Sequence, residues 1–463
     1  MNKTTEDETT ITKPSKCLGV RHVQIAFLFT VIIVGYATRS NLNIALLAMT
    51  DKNSTYFFDI DLKTQSTLQT SLFWGYQVAL VPAGELVTRF GARRFLLLHA
   101  IVNALASFAI PFSRFLGPQG WKMIYGCRVV QGLFQAFLIP GSLTLISKWV
   151  PEGERSRLGS FTYSGIQLGN AFQMATSGLL ADYWGWPSIF YFYGVLGSIW
   201  FVAFALFGAE SPAESKLISE EERIYVQKSL GSRSMKQKLR TPWKALFTSM
   251  PFIATIITFC AFKWEFYTLL TQIPTYMKQM QGLNIKQSGL VTAIPYLALF
   301  LCASPAGYLA DLMIRRKWCT VTTVRKLFTT LGFICPATSL LALSQASPNS
   351  TPAAVAFLTL TVASSAGIYP GFLICHLDMA PNFPASMMAI TNVFANLMSI
   401  IAPIVAGFML GDGTDLGKWQ QVFYVAIAFH VAASIFYLIF ADCREQPWND
   451  PDYKKNKKQV TEG

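Results

Sequence analysis

Residues 84–94 read GELVTRFGARR, and residues 307–316 read GYLADLMIRR, so one glycine-to-arginine pattern occurs twice at an offset of 223 residues. Each copy stands between two long apolar stretches. A glycine lets a second helix approach closely, and terminal arginines anchor a span at the charged membrane interface. A unit repeated at about half the chain length indicates two parallel membrane repeats, although either copy alone could be simple interfacial anchoring. The candidate gating residues in the two copies are Gly84, Arg89, Gly91, Arg93, Gly307, Asp311 and Arg315.

Composition agrees with a membrane protein. Of 463 residues, 52% are hydrophobic, 14% are charged and 36 are Phe, and the mean hydropathy is +0.37. Soluble proteins carry about 25% charged residues. These values exclude a soluble globule, a disordered chain, collagen and a coiled coil. Eight cysteines without a C-x-x-C pair, together with only four histidines, predict no metal site and no resident cofactor. We interpret the cysteines as small core residues.

The apolar pattern predicts an all-α membrane protein with 12 transmembrane helices in two parallel six-helix bundles. Each window approaches the ~20 residues that a bilayer requires. The windows are 22–49, 69–88, 95–113, 121–147, 158–181, 187–208, 247–277, 288–312, 327–346, 353–377, 386–410 and 419–441. The predicted regions are a tail 1–21, an N-terminal bundle 22–209, an inter-bundle loop 210–245, a C-terminal bundle 246–441 and a tail 442–463.

The basic residues orient the chain. One set of alternate loops and both tails carries 28 of the 38 Lys and Arg, the opposite set carries seven, and three lie within spans. The positive-inside rule then places both termini and the inter-bundle loop in the cytoplasm. This bias explains the net charge of +13 without a nucleic-acid partner. The acceptor triplets at Asn53 and Asn349 fall on the opposite side, where glycosylation occurs.

Charged residues within spans are expensive and mark functional sites. Arg39, Arg128 and Lys263 outnumber Glu265, so the interior favours an anion. Helical spacing places polar neighbours on the same face as each arginine. The candidate substrate-binding residues are Arg39, Arg128, Tyr36, Asn43, Tyr76, Lys263, Tyr267, Asn392 and Asn396. The candidate coupling residues are Gln131, Gln135, Glu265 and His376. For the Asn, Gln and His side chains, structural hydrogen bonding between helices is the competing interpretation.

Several stretches carry a resemblance to a known family. They are RSNLNIAL (39–46), SLFWGY (71–76), RVVQGL (128–133), SKWVPEGERSRL (147–158), GWPSIFY (185–191), FYTLL (266–270), PTYM (274–277), HLDMAP (376–381) and WQQVFY (419–424). The chain resembles the major facilitator superfamily and, within it, the solute carrier 17 anion transporters. That group includes sialin, the vesicular glutamate transporters, the type I sodium–phosphate cotransporters and the insect inorganic phosphate cotransporters.

The resemblance implies anion transport by alternating access, with Arg39 and Arg128 at the positions of the family's substrate-anion arginines. It also shows a departure. Proton-coupled sialin-like relatives carry glutamates three and seven residues after the second arginine, where this chain has Gln131 and Gln135. Glutamine cannot bind a proton, so we expect sodium coupling, proton coupling through another residue such as Glu265, or uncoupled transport.

The predicted function is therefore secondary transport of inorganic phosphate or a small organic anion, coupled to sodium or protons. The expected partners are that anion and the lipid bilayer, and we expect a monomer. The membrane is either the plasma membrane or a lysosomal or vesicular one. A non-transporting anion sensor on the same fold is the alternative. An enzyme is disfavoured because no nucleophile–base set or phosphate loop appears, and the two-half repeat favours a carrier over a channel.

Overall fold

The computed structural model describes residues 19–52, 57–230, 242–346, 350–381, 383–411 and 413–449. The regular structure in these ranges is helical. The first half contains α1 (Val20–Ser40), α2 (Leu42–Met49), α3 (Leu62–Phe90), α4 (Ala92–Ala109), α5 (Gly120–Gln135), α6 (Leu138–Trp149), α7 (Glu152–Trp184) and α8 (Trp186–Phe207). The linker carries α9 (Glu220–Leu230) and α10 (Trp243–Phe247). The second half contains α11 (Met250–Gln279), α12 (Ile285–Arg315), α13 (Val321–Gln345), α14 (Thr351–Ser364), α15 (Phe372–Met379), α16 (Pro384–Leu410) and α17 (Leu416–Phe440).

Within the described residues, nine segments are long and apolar enough to cross a membrane. One of them, Ala92–Trp149, is 58 residues long, and a turn at Gly117 (φ 56°) folds it so that α4 packs against α5. Of the twelve predicted windows, 69–88 and 158–181 are missing from the nine segments. They belong to α3 and α7, whose polar faces lower their hydropathy. Twelve crossings therefore stay a prediction.

Three predicted windows contain breaks. The window 22–49 divides at Asn41, between α1 and α2, and 121–147 divides near Ala136, between α5 and α6. The window 353–377 contains a 3-10 segment, Ser365–Ile368, between α14 and α15. Hydropathy cannot reveal such breaks because they leave the apolar character of a segment unchanged. They matter because broken helices free backbone carbonyls inside the bundle.

The two halves meet along two seams. In the first half α3 packs on α5, α1 on α7 and α4 on α8, and in the second α11 packs on α16, α13 on α17 and α12 on α14. Between the halves, α7 packs on α12 and α3 packs on α16. The two helices with the most polar spans, α3 and α7, are therefore those that the first half presents to the second.

The seams are tighter at one end than at the other. We call the end where α1 and α7 begin and where α3 and α12 finish the basic end, and the opposite end the far end. At the far end a methyl group on Gly289 of α12 would lie 2.6 Å from the Met174 carbonyl of α7. A methyl group on Gly407 of α16 would likewise overlap the Ser66 hydroxyl of α3.

Polar contacts reinforce the closure of the far end. Lys278 forms an ion pair with Asp51 at 2.7 Å, and the Gln69 amide donates a hydrogen bond to the Thr271 carbonyl at 3.2 Å. Both contacts join the first half to the second. At the basic end a methyl group on Gly84 or Gly307 would meet no described atom within 4 Å beyond its own helix and adjoining residues. The structure is thus closed at the far end and parted at the basic end.

Carboxylates at the basic end tie residues within the first half and its linker. Glu210, just after α8, accepts from the backbone N–H groups of Ala92 and Arg93 at 3.0 and 2.7 Å and pairs with Lys148 at 2.5 Å. Glu222 of α9 pairs with Arg21 at 2.9 Å. The linker helix is therefore fastened to the start of α1.

The cysteine prediction is wrong for one pair. Cys375, in α15, forms a disulfide with Cys443, which follows α17. The segments that carry them converge at the basic end, which a sequence separation of 68 residues does not reveal. Among the described residues, Cys127, Cys260, Cys302, Cys319 and Cys335 are free, but Cys302 is exposed and the other four are only partly buried, so the core prediction is not met for these five either. The acceptors Asn53 and Asn349, most of the tail 1–21 and residues 450–463 lie outside the described residues.

Candidate functional site

The guanidinium group of Arg39 lies inside an aromatic cage at the end of α1. Its Cζ atom is 4.6 Å from the ring centres of both Phe73 and Tyr76, which stand three residues apart on one face of α3. Tyr36, one turn earlier on α1, is 5.6 Å away. Ring faces stabilise a cation by about 0.5–2 kcal/mol each. The Arg39 side chain is nearly buried, and its Nε has no hydrogen-bond partner in the described structure.

The second half completes the cage. Tyr267 of α11 lies 5.8 Å from the Arg39 Cζ and packs edge-on against Phe73 at 4.7 Å. Lys263, one turn earlier on α11, places its Nζ 5.2 Å from the same Tyr267 ring and 5.4 Å from Phe259. In the described residues neither cation forms an ion pair with a carboxylate. Two unneutralised cations from opposite halves therefore flank one tyrosine, and such an arrangement is suited to an anion with more than one oxygen.

Arg128 is used differently from Arg39, although the two look alike in the sequence. It is 1% exposed and donates from Nη1 to the Thr38 carbonyl at 2.8 Å and to Gln131 Oε1 at 3.1 Å. It also donates from Nη2 to the Arg39 carbonyl and, more weakly, from Nη1 to Asn41 Oδ1. Except for Gln131, these acceptors lie at the break between α1 and α2. Arg128 thus holds the backbone that carries Arg39, and only its Nε lacks a partner.

The two span-4 glutamines also bind protein groups. Gln131 donates to Ser107 Oγ at 3.0 Å and to the Asn103 carbonyl at 3.2 Å, and Gln135 donates to the Gly35 carbonyl at 3.1 Å. They join α5 to α4 and α1. Asn43 donates to the Leu270 carbonyl at 3.0 Å, which links α2 to α11 across the two halves. These contacts match the structural interpretation of the polar faces.

The remaining candidates lie on helices of the second half. Asn392, half-buried on α16, donates to the Met388 carbonyl at 2.9 Å, and Asn396 is buried one turn further on. His376 is buried near the end of α15, where its Nδ1 lies 3.3 Å from the Leu373 carbonyl and its Nε2 has no described partner. Within the described part of the chain no contact joins these residues to Arg39, so their functional roles stay predictions.

Glu265 points away from the Arg39 cage, as its two-residue offset from Lys263 implies. Its carboxylate lies 3.6 Å from Nε2 of His430 on α17, and the two residues are 2% and 0% exposed. Neither His430 nor Phe73 was among the predicted site residues. The signal for His430 was available, because an ionisable residue inside an apolar span is by default a candidate functional residue. Phe73 carried no such signal among so many phenylalanines.

The two gating motifs differ in their contacts. In the first, Arg93 donates to the Ala205 carbonyl at 2.7 Å, Gly91 adopts φ 96°, and exposed Arg89 pairs with Glu85. In the second, Asp311 and Arg315 are exposed.

Glu210 accepts hydrogen bonds from the N–H groups at the start of α4, within the first motif. It was not predicted because it stands more than 100 residues from that motif.

Comparison with known proteins identifies a family of membrane transporters and solved structures with a similar fold. The Major Facilitator Superfamily profile matches residues 28–403 and 287–462. A Drosophila melanogaster protein named "Putative inorganic phosphate cotransporter" is 33% identical, covering 96% of this chain and 89% of its own. The zebrafish (Danio rerio) protein "Vesicular glutamate transporter 3" is 34% identical, covering 92% and 73%. A bacterial homologue of the human lysosomal transporter Spinster, solved inward-facing and unoccupied, superposes with a TM-score of 0.70 at 13% identity over 94% of this chain and all of that one.

Proposed function

Because this chain belongs to the major facilitator superfamily and, within it, to the solute carrier 17 family, we propose that it moves a small anion across a membrane by alternating access. Arg39 carries the proposal. Its guanidinium is held by rings rather than by a carboxylate, and its Nε is buried without a partner. A bound oxyanion would supply the missing acceptor and neutralise the charge.

Lys263 and Tyr267 give the site its second wall. Because Arg39 belongs to the first half and Lys263 to the second, an anion between them contacts both halves at once. Bringing two uncompensated cations together is unfavourable, and a bound anion reverses the sign of that interaction. The loaded carrier then passes through the closed intermediate more readily than the empty one. Arg128 acts through the backbone of Thr38 and Arg39 and positions the binding residue.

The parted basic end supports an inward-facing state. The positive-inside bias of the sequence predicts that this end faces the cytoplasm. The far-end glycine contacts and the Lys278–Asp51 pair must then separate when the carrier opens to the other side. Inorganic phosphate or a small organic anion is the proposed substrate, and its movement is coupled to sodium or protons.

Reconstituted uptake tests the proposal. Purified protein in liposomes is offered labelled phosphate, glutamate, sialic acid and urate, with sodium and pH gradients imposed separately. We expect saturable uptake of at least one anion by the wild type and none by Arg39→Gln. Arg444→Gln, which removes an exposed arginine outside the bundle, should transport normally. The proposal fails if the folded wild type moves none of these anions, or if Arg39→Gln matches it.

A further inference from the structure

The second half encloses an acid–base pair that the anion site does not use. Glu265 of α11 and His430 of α17 face each other with 3.6 Å between Oε2 and Nε2. Both side chains are at least 97% buried, and the Phe333 ring of α13 packs edge-on against the imidazole at 4.8 Å. At 3.6 Å the two atoms are adjacent but too far apart for a good hydrogen bond.

The polar atoms of the pair lack hydrogen-bond partners. Glu265 Oε1 and both ring nitrogens of His430 have no hydrogen-bond partner among the described atoms, and neither does the buried Ser434 hydroxyl one turn along α17. Buried polar groups are normally hydrogen-bonded, and each exception needs an explanation. An ionised carboxylate beside a neutral imidazole would leave a net negative charge in an apolar interior. One added proton removes that charge and supplies a donor between the two atoms.

Groups on the surrounding helices do not neutralise the carboxylate. On α12 the buried Tyr296 hydroxyl is within electrostatic range of Glu265 and Tyr267 and has no described partner. On α11 Lys263 stands two residues before Glu265, on another side of the helix, and α13 presents the uncharged Phe333. The fully buried Tyr296 is therefore near both the pair and the ring that flanks the anion site.

We propose that Glu265 and His430 together form the binding site of a proton that is carried with the anion, an inference that rests on the proposed transport function. The proton comes from water, binds Glu265 Oε2 and is shared with His430 Nε2, and it returns to water on release. No other bond changes, and the charge of the pair changes from −1 to 0. On α5, the amides of Gln131 and Gln135 do not titrate and so cannot bind this proton.

The geometry couples this proton to the anion through one helix. Glu265 and Tyr267 are two residues apart on α11, and Lys263 stands one turn before Tyr267. The uncharged pair can stay buried between α11 and α17, whereas the charged pair favours contact with water. Proton binding therefore stabilises the position of α11 that presents Lys263 and Tyr267 to Arg39.

Two measurements test the proposal on the reconstituted full chain. The first is infrared difference spectroscopy during a pH titration, which detects the carbonyl band of a protonated carboxylic acid and needs no substrate. We expect a titrating band that is absent in Glu265→Gln, shifted in midpoint in His430→Gln and unchanged in Glu221→Gln, an exposed acid on α9. If the band persists in Glu265→Gln, the proposal is overturned.

The second measurement is uptake of labelled inorganic phosphate, with external pH fixed and only internal pH varied. In the wild type an inward proton gradient of one pH unit should raise the ratio of internal to external phosphate by about tenfold if one proton accompanies each anion. Glu265→Gln should lose this gain and keep exchange of labelled for unlabelled phosphate. Gradient-driven accumulation in Glu265→Gln would overturn the proposal, whereas loss of exchange in Arg39→Gln reports on the anion site alone. If phosphate is not transported, the infrared result decides.

Discussion

The two halves of the bundle share one repeated motif but bury different chemistry. The first half buries arginines: Arg39 in an aromatic cage and Arg128 among backbone carbonyls. The second half buries an acid–imidazole pair, Glu265 and His430, and brings Lys263 and Tyr267 to the shared site. Under the two proposals made above, the duplicated scaffold separates two tasks, because a cation that must hold an anion and an acid that must bind a proton would neutralise each other if adjacent.

The largest expected effect separates the two arginines of the first half. Arg39→Gln removes charge-assisted hydrogen bonds to the anion worth about 1.5–3 kcal/mol each, so anion binding should weaken by about 100-fold or more. Thermal stability should change little, because the lost ring contacts are offset by no longer burying an unpaired charge. Arg128→Gln leaves two buried carbonyls without their donor, at a cost of about 1–3 kcal/mol each, and should lower the melting temperature as well. Uptake and thermal melting of both purified variants check this. Equal melting temperatures in the two variants would remove the distinction between binding and positioning.

The next effect concerns the two ends of the seams. Gly289→Leu should be incompatible with the closed far end, because even a methyl group would meet the Met174 carbonyl. Overpacking of this kind costs about 1–3 kcal/mol, which shifts a conformational equilibrium by about 5- to 150-fold. A cysteine at Ser66, buried at the far end, reports the shift through labelling with an impermeant maleimide. Labelling should rise in Gly289→Leu and stay low in Gly307→Leu, whose glycine faces open space. Equal labelling would contradict the proposed closure.

The sequence was enough to predict the helical membrane fold, the family and the set of polar residues worth examining. It could not say which arginine is free, because the answer depends on the break after Ser40 that offers carbonyls to Arg128. The partners of Glu265 and of the first gating motif, His430 and Glu210, were missed for a related reason. Each lies more than 100 residues away, and only the register between packed helices brings it into contact.

A smaller effect sharpens the role of the second half at the shared site. Lys263→Met keeps the apolar stem and removes the charge, so the KM for the transported anion should rise by about tenfold, as expected for loss of one charge-assisted contact. The maximal rate should change less, because Arg39 still binds the anion. Lys122→Met, an exposed lysine on α5, is the matched control. An unchanged KM in Lys263→Met would confine the anion to the first half.

The smallest effect compares the helix starts that follow the two gating motifs. Glu210 caps α4 as a carboxylate, whereas α13 is capped by the Thr320 hydroxyl, which accepts from the Thr323 N–H at 3.2 Å. Burial alone would raise the pKa of Glu210. Hydrogen bonds from Lys148 and from the N–H groups of Arg93 and Ala92 lower it by more, so the pKa lies below its ordinary value. A lowered pKa in the folded state means that this stabilisation is present at neutral pH and is lost as the pH falls through that value.

Glu210→Gln should therefore destabilise the first half by about 1 kcal/mol at pH 7, and its melting temperature should converge on that of the wild type as the medium is acidified below pH ~4.5. Thr320→Ala should cost a similar free energy at every pH, because a hydroxyl does not titrate in this range. Thermal melting of both variants and the wild type across pH 3–7 distinguishes the two caps. If the Glu210→Gln deficit stayed constant with pH, the carboxylate charge would not be what holds the start of α4.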